Sequence, residues 1–222
     1  MPDAVGTTAQ RRAYLDRARA ELRAADPVLG ALIDARPDHD PDAWRADLPA
    51  MDAFGVLIFQ VVGQQLSVRA TRTILARIAA AFGGRLPTPA ALLGSTPGTL
   101  RGLGLSHRKE ATLRELAARF VDGRLTAEGL AALPDDEVER ALTAVPGIGR
   151  WTAHGFLLLA LGRDDVVPTG DLVIRKAVQR AYGLPDLPTE RRVAEIAEAW
   201  RPYRSLAANY LFASIQIAPG RR

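Results

Sequence analysis

Apolar residues recur at three- and four-residue spacing along almost all of this 222-residue chain, and very few segments alternate like a half-buried strand. Such spacing places side chains on one face of an α-helix, whereas a strand requires a period of two. Hydrophobic residues make up 48% of the chain, which is enough to build a core. The pattern therefore predicts an all-α protein whose core is formed by the apolar stripes of packed helices.

Proline, glycine and capping residues mark the expected helix boundaries. Proline and glycine disfavour a helix interior, whereas Ser, Thr and Asp side chains accept hydrogen bonds from the first amides of a helix. Residues 1–8 are expected to be a disordered tail. The main helices are expected over residues 9–25, 53–62, 68–82, 107–121, 135–145, 152–161, 172–183, 193–200 and 206–215. A short helix is expected over residues 28–35, and two more are expected to start at the Thr-Pro pairs 88–89 and 96–97.

A glycine-containing turn joins two of these helices in LTAVPGIGRWTA, residues 142–153. Glycine tolerates left-handed torsions and leaves the backbone uncovered. The amides of Gly147 and Gly149, with the positive end of the following helix, therefore suit a phosphate oxygen. Arg150 could add a charge-assisted contact. Thr152 is expected to cap the second helix and also to contact DNA.

Asp171, in VVPTGDLVIRK, follows this turn and lies 20 residues after Trp151. Together the two segments resemble the helix-hairpin-helix DNA glycosylases, in which a Gly/Pro-rich hairpin precedes a catalytic aspartate. Within that superfamily the chain resembles the alkylation-repair branch, the DNA-3-methyladenine glycosylase II type. It resembles a short form of this branch, without the β-rich N-terminal domain of some relatives. The resemblance covers about residues 26–215.

The resemblance implies a single two-lobed helical domain with the active-site cleft between the lobes. The hairpin motif would occupy about residues 135–162, within a central helical bundle at about 53–165. The N-terminal and C-terminal helices would form the second lobe, so that the whole domain spans residues 9–222.

Asp171 is the catalytic carboxylate that the resemblance implies. Cleavage of an N-glycosidic bond develops positive charge on the deoxyribose, and a nearby anion stabilises that charge in a water-poor pocket. Bases alkylated at N3 or N7 already carry positive charge and leave readily, so a single acidic residue suffices. The alternative is that Asp171 only caps the helix that starts at Leu172. The two roles are compatible.

Trp151 stands where bifunctional members of the superfamily carry the lysine that forms a Schiff base and permits strand cleavage. Neither Lys109 nor Lys176 matches that position, so the resemblance implies a monofunctional enzyme. The indole is expected to stack on the extruded base and to favour a cationic ring. Phe59 is a second candidate for this pocket. Packing in the core is the alternative for both aromatic residues.

Two further segments resemble DNA contacts of the family. The loop VVGQQLSV resembles the one that fills the gap left by the flipped nucleotide, with Gln65 as the wedge beside Gln64. In GLGLSHRKEATL, the resemblance places Ser106, Arg108 and Lys109 on phosphates of the far strand. The alternatives are a simple polar turn for the first segment and solvated charges for the second.

Cofactor expectations follow from residue counts and from the resemblance. The chain has no cysteine, which excludes an iron–sulfur cluster, and its three histidines have no metal-ligand spacing. Family hairpins often hold a monovalent cation through backbone carbonyls. By position, those of Thr143, Val145 and Ile148 would hold Na⁺ or K⁺ here. No cofactor is expected to be required.

The formal charge of +4 is compatible with a polyanionic partner, and no apolar stretch is long enough to span a bilayer. We therefore expect a soluble, cytoplasmic monomer that acts on double-stranded DNA containing an alkylated base, and no membrane contact. The main hypothesis is a monofunctional glycosylase for alkylated purines. Two alternatives stay open: a glycosylase for deaminated, oxidised or mismatched bases, and a non-catalytic hairpin module that only binds DNA.

Overall fold

The structure, a computed structural model, describes residues 8–216. These residues form α-helices joined by turns and by two short 3₁₀ helices, and the described range contains no β-strand. The prediction of an all-α fold is confirmed for this range. In chain order the α-helices are α1 (Thr8–Ala25), α2 (Pro27–Asp34), α3 (Ala53–Gly63), α4 (Val68–Ala81), α5 (Pro89–Gly94), α6 (Thr99–Gly102), α7 (His107–Val121), α8 (Ala127–Ala132), α9 (Asp135–Thr143), α10 (Arg150–Leu159), α11 (Leu172–Ala181), α12 (Glu190–Ala197) and α13 (Arg204–Gln216).

Most helix boundaries lie where capping residues predict them. The side chains of Ser67 and Ser106 accept hydrogen bonds at the starts of α4 and α7, which begin at the predicted residues. The sequence does not predict α8, because its six residues are too few to show a helical period. The tail predicted for residues 1–8 lies outside the described residues, except for Thr8, which begins α1.

The first compact unit comprises Arg45–Gly162 and contains α3 to α10. Helix α3 packs against α4, α7 and α10, and α5 packs against α7. Because α3 contacts neighbours on several sides, eight of its eleven residues are buried and it has no polar face. Neither α3 nor any other helix in residues 8–216 is long and apolar enough to cross a membrane.

The second compact unit combines both ends of the described chain, residues 8–44 and 163–216. Helix α11 packs against α12 and α13, while α2 packs against α1 and α13. Their apolar faces meet in one core, in which Trp200 and Tyr210 are the largest fully buried side chains. Residues from both ends of the sequence thus bury one another.

Asp26 is a buried carboxylate at the centre of this second unit, with 6% of its surface exposed. Its Oδ1 accepts hydrogen bonds from the amides of Val28 at 2.9 Å and Leu29 at 3.2 Å, which caps α2. Its Oδ2 accepts from Trp200 Nε1 at 2.9 Å and from the Tyr182 hydroxyl. Burial, followed by the bond to Asp26, raises the pKa of Tyr182 well above its ordinary value, so the phenol stays protonated as a donor.

Asp26→Ala is expected to destabilise the protein by about 3 kcal/mol, because it removes a helix cap, takes the acceptor from the Tyr182 hydroxyl and leaves Trp200 Nε1 only its bond of 3.1 Å to that hydroxyl. The free energy of unfolding in urea measures the effect. Asp52→Ala is the matched control, since Asp52 caps α3 through a single bond of 2.7 Å to the Gly55 amide. Its loss should cost about 1 kcal/mol. Equal losses at the two positions would show that the bonds to Trp200 and Tyr182 contribute nothing.

Candidate active site

The predicted hairpin is formed by α9, a turn over residues 144–149 and α10. The side chains of Val145 and Ile148 are buried, and the Ile148 amide donates to the Val145 carbonyl at 3.0 Å. Gly147 has φ +90°, a left-handed torsion that favours glycine. Gly149 has φ −109°, which any residue adopts. Only Gly147 is therefore required for the shape of the turn, whereas the sequence predicts the same conformational role for both glycines.

Thr112 of α7 packs directly against Gly147. Its hydroxyl donates to the carbonyl of Pro146 at 3.0 Å. A Cβ atom added to Gly147 would lie only 2.1 Å from Thr112 Oγ1. The turn thus needs glycine at position 147 for two reasons: the torsion of the backbone and the close approach of α7.

Thr152 is not the cap of the second helix, so that prediction is wrong. Helix α10 begins at Arg150 with Gly149 as its N-cap, so Thr152 is the third residue of the helix, three positions after the cap. The side chain is 1% exposed, and its hydroxyl accepts a hydrogen bond from Gln64 Nε2 at 3.0 Å. The contact of Thr152 with DNA stays a prediction.

Gln64 joins the predicted wedge loop to the hairpin. Besides its bond to Thr152, its Nε2 donates to the carbonyl of Gly147 at 3.1 Å. The amide nitrogen of this side chain is therefore used inside the protein, and Gln64 acts as a tether between α3 and the turn. The sequence singles out Gln64 by its place beside Gln65, but nothing in the sequence indicates this partner.

Gln65, the predicted wedge, is the next residue of the loop. It is exposed, and its φ of +57° makes it the non-glycine residue with a left-handed torsion in the described range. Such a torsion is uncommon for glutamine and persists only where the surroundings hold it. The neighbouring side chains of Leu66 and Val68 are also exposed, at 40% and 63%. The wedge role of Gln65 stays a prediction.

Arg150 lies at the start of α10 and forms an ion pair with Glu139 of α9, with 2.8 Å between Nε and Oε1. The other oxygen of Glu139 is 2.9 Å from Nε2 of His154, which agrees with a hydrogen-bonded structural role for that histidine. A guanidinium has five N–H donors, so this pair leaves others for a phosphate. The phosphate contact of Arg150 stays a prediction.

The N-terminus of α7 carries the other predicted phosphate ligands, Ser106, Arg108 and Lys109. Ser106 caps the helix, with its hydroxyl accepting from the Lys109 amide at 3.3 Å, and Arg108 is exposed. Lys109 differs, because its ammonium donates to the carbonyls of Val62 and Gln64, each at 2.8 Å. Burial lowers the pKa of Lys109.

The turn before α7 is anchored by the buried carboxylate of Glu110. It accepts from the Gly98 amide at 2.8 Å and from Arg101 Nε at 3.1 Å. Burial by itself would raise the pKa of Glu110, but hydrogen bonds from Gly98, Arg114 and Arg101 outweigh burial and lower it. The carboxylate is therefore ionised and holds the turn in place.

Trp151 and Phe59 lie on helices that pack against each other, α10 and α3. Trp151 is the second residue of α10 and 40% of it is exposed, which is unusual for so large an aromatic side chain outside a binding surface. Phe59 is partly buried. One turn after Trp151, Gly155 leaves room for the buried Gln60, because a Cβ atom there would lie 2.2 Å from Gln60 Nε2.

Asp171 belongs to the second unit, at the N-terminus of α11. Its Oδ1 accepts hydrogen bonds from the amides of Val173 at 2.7 Å and Ile174 at 3.0 Å, so the side chain is an N-cap. The residue is 8% exposed. Two backbone amides and the positive end of the helix thus fix and stabilise a nearly buried negative charge.

The three residues predicted to hold a monovalent cation lie in or beside the hairpin turn. Thr143 ends α9, where the last carbonyls lack partners within the helix. The Val145 carbonyl keeps one lone pair beyond its bond from Ile148. These carbonyls fit a monovalent cation, which stays a prediction. Within residues 8–216, no group of three or more His, Cys, Asp or Glu side chains could hold a metal ion.

Known proteins that match most of this chain include two DNA-3-methyladenine glycosylases and a solved glycosylase structure. The chain is 35% identical over 206 residues to DNA-3-methyladenine glycosylase 1 of Schizosaccharomyces pombe, covering 92% of this chain and 89% of the relative. It is 32% identical to DNA-3-methyladenine glycosylase 2 of Escherichia coli, covering 83% of this chain but only 64% of that longer protein. The solved S. pombe 3-methyladenine DNA glycosylase, Mag1, in complex with abasic DNA superimposes with a TM-score of 0.83 at 30% identity, covering 93% of this chain and 100% of that one.

A family model also matches residues 58–202, that of the HhH-GPD superfamily base excision DNA repair proteins. The match spans α3 to α12 and includes the wedge loop, the hairpin and Asp171. Together with the relatives it shows that this chain belongs to the HhH-GPD superfamily of base excision DNA repair proteins.

Proposed function

We propose that this chain is a monofunctional DNA glycosylase that extrudes alkylated purines, of the 3-methyladenine and 7-methylguanine type, from duplex DNA and hydrolyses their N-glycosidic bonds. The observation that carries the proposal is the nearly buried Asp171 carboxylate, which two amides of α11 hold in one orientation. Similarity to two DNA-3-methyladenine glycosylases over most of this chain supports the choice of alkylated purines.

The proposed reaction requires little more than a positioned negative charge. The bond between N9 of the purine and C1′ of the deoxyribose breaks, and its electron pair moves to the base. Methylation had made the base cationic, so it departs as a neutral molecule. The positive charge that develops on the sugar is stabilised by Asp171, whose orientation is already set by Val173 and Ile174. Water then bonds to C1′ and gives its proton to the carboxylate. No redox cofactor or metal enters these steps.

The absence of strand cleavage is proposed from the positions of the two lysines in the sequence. A Schiff base needs an amine that can reach C1′, and the hairpin carries Trp151 at the position where the bifunctional relatives place that amine. Lys109 is bonded to two backbone carbonyls, and Lys176 is an exposed residue of α11. We therefore expect an intact abasic site as the product.

The experiment that tests the function uses a set of duplexes, each with one 3-methyladenine, 7-methylguanine, hypoxanthine, 8-oxoguanine or mismatched base. Release of the free base is measured directly, and strand breaks are measured with and without alkali. We expect release of the two methylated purines and breaks only after alkali. Binding without any release would leave a non-catalytic hairpin module, release of the neutral bases alone would favour the other glycosylase type, and breaks without alkali would contradict the monofunctional assignment.

Trp151→Ala is expected to lower the rate of release of 7-methylguanine by about 10- to 100-fold, because stacking on a base is worth about 1–3 kcal/mol and cation–π attraction adds about 0.5–2 kcal/mol. Affinity for undamaged DNA should change less than threefold. Single-turnover kinetics measure the rate of release, and fluorescence anisotropy measures the affinity. Trp151→Phe, which keeps an aromatic face, should lower the rate of release by less than Trp151→Ala. Equal losses in release and affinity would count against stacking.

The remaining proposals concern the setting of the reaction. We expect a monomer that binds double-stranded DNA in the cytoplasm and associates with the nucleoid while bound. Sedimentation of the free protein and of its DNA complex tests the monomer. If the hairpin binds a monovalent cation, the affinity for DNA should differ between K⁺ and a bulky tetraalkylammonium salt at equal ionic strength.

A further inference from the structure

Lys109 is half-buried and makes contacts unlike those of a DNA ligand. Its ammonium donates to the carbonyls of Val62 and Gln64, both at 2.8 Å. Within residues 8–216 no carboxylate forms an ion pair with it. A lysine has three N–H donors, so two of the three are directed at the protein backbone.

The two carbonyls lie at the C-terminal end of α3, where an isolated helix has its negative pole and its unpaired carbonyls. A cation at this point is stabilising, and here it comes from α7, a helix 45 residues later in the chain. Lys109 thus closes the end of α3 and fixes the direction in which the chain leaves it.

The residue that follows is Gln65, whose left-handed φ of +57° is disfavoured by its own side chain. The residue before it, Gln64, is fixed by two sets of contacts. The Gln64 carbonyl accepts a hydrogen bond from Lys109, and the Gln64 side chain donates to Gly147 and Thr152. After Gln65, the amide of Leu66 donates a hydrogen bond to the carbonyl of Gly63 at 3.1 Å. The strained torsion of Gln65 is therefore held between fixed neighbours.

We propose that Lys109 is a positioning residue, which holds the Gln64 carbonyl so that Gln65 keeps the left-handed torsion that directs it toward DNA. This inference rests on the proposed function, and it replaces the expectation that Lys109 binds a phosphate. The loop and the hairpin are then aligned by one helix, since α7 contacts the first through Lys109 and the second through Thr112.

Lys109→Met tests the proposal in the full-length protein, because methionine keeps the length of the side chain but has no donor. Amide hydrogen exchange of residues 64–66 should become about tenfold faster in the free protein, and single-turnover base release should slow by about tenfold at saturating DNA. The slope of log affinity against log salt should stay that of the wild type. Arg85→Met, which removes an exposed cation of the same unit, is the control for charge alone and should change neither exchange nor rate.

If Lys109 instead binds a DNA phosphate, the salt slope should change in Lys109→Met and the exchange of the loop amides should not. A lost phosphate contact lowers the salt slope by about 0.9 and leaves loop exchange unchanged. Arg108→Met provides the reference for such a loss. That pattern in Lys109→Met would overturn the proposal.

Rescue of base release by a second substitution distinguishes positioning of Gln65 from a general structural role of Lys109. Asparagine tolerates left-handed torsions better than glutamine, so Gln65→Asn added to Lys109→Met should recover part of the lost release, relative to Gln65→Asn alone. If Lys109→Met does not fold, Lys109→Leu, a shorter side chain that also has no donor, takes its place with the same expected changes in exchange and rate. If the wild type releases no base, the proposed function fails, whereas the exchange comparison still decides the role of Lys109.

Discussion

Asp171→Asn is expected to lower the single-turnover rate of methylated-base release by about 10³-fold, as the loss of one preorganised charge contact in an active site commonly does. The substitution separates charge from structure. Asparagine is as good an N-cap as aspartate, and its Oδ1 can accept the same bonds from Val173 and Ile174. The melting temperature and the affinity for DNA should therefore stay close to those of the wild type.

Asp52→Asn is the matched control, because Asp52 also caps a helix through its Oδ1. We expect it to release methylated bases at the wild-type rate. A fall of less than tenfold in Asp171→Asn, with both proteins folded, would show that the carboxylate of Asp171 serves only as a cap. A parallel fall in DNA affinity would instead point to damage beyond the lost charge.

Gly147→Ala is expected to cost about 2–3 kcal/mol of stability and at least tenfold in affinity for DNA. The left-handed torsion contributes about 1 kcal/mol. The remainder comes from the methyl group, which would lie 2.1 Å from Thr112 Oγ1 and would force apart the turn and α7. Urea unfolding and fluorescence anisotropy with undamaged duplex DNA measure the two effects.

Gly149→Ala separates the shape of the turn from its contact with DNA. In the described structure a Cβ atom at position 149 meets no atom within 4 Å, and φ is ordinary, so stability should be unchanged. Thr112→Ala in the Gly147→Ala background should restore part of the lost stability by removing the colliding hydroxyl. No recovery would mean that the torsion of Gly147 alone carries the effect.

Much of the fold could be predicted from local patterns. Apolar periodicity and caps such as Ser67 and Ser106 act within a few residues, so the helices they bound are visible without tertiary information. The same patterns fail at α8, which is too short for a period. They also fail at Thr152, where the glycine before Arg150 caps α10 and the threonine falls inside the helix.

The candidate site shows the same division. Gln65, Trp151 and Asp171 are distinguished by position and residue type, and the structure presents the first two as exposed and the third as a fixed, nearly buried anion. The tether role of Gln64 and the internal bonds of Lys109 could not be predicted. Both depend on partners more than 40 residues away, and a polar side chain in the sequence looks the same whether it faces DNA or a backbone carbonyl.

The sequence by itself determined the helical class, the hairpin and the tryptophan at position 151, because each of these depends on residue type and short spacing, and its resemblance to known glycosylases indicated the repair superfamily. Only the tertiary structure decided that Gly147, and not Gly149, shapes the turn, and that Lys109 donates to the carbonyls of Val62 and Gln64 just before Gln65. The physical reason is that torsion, close approach and hydrogen-bond partners are set by segments that meet only after the chain has packed.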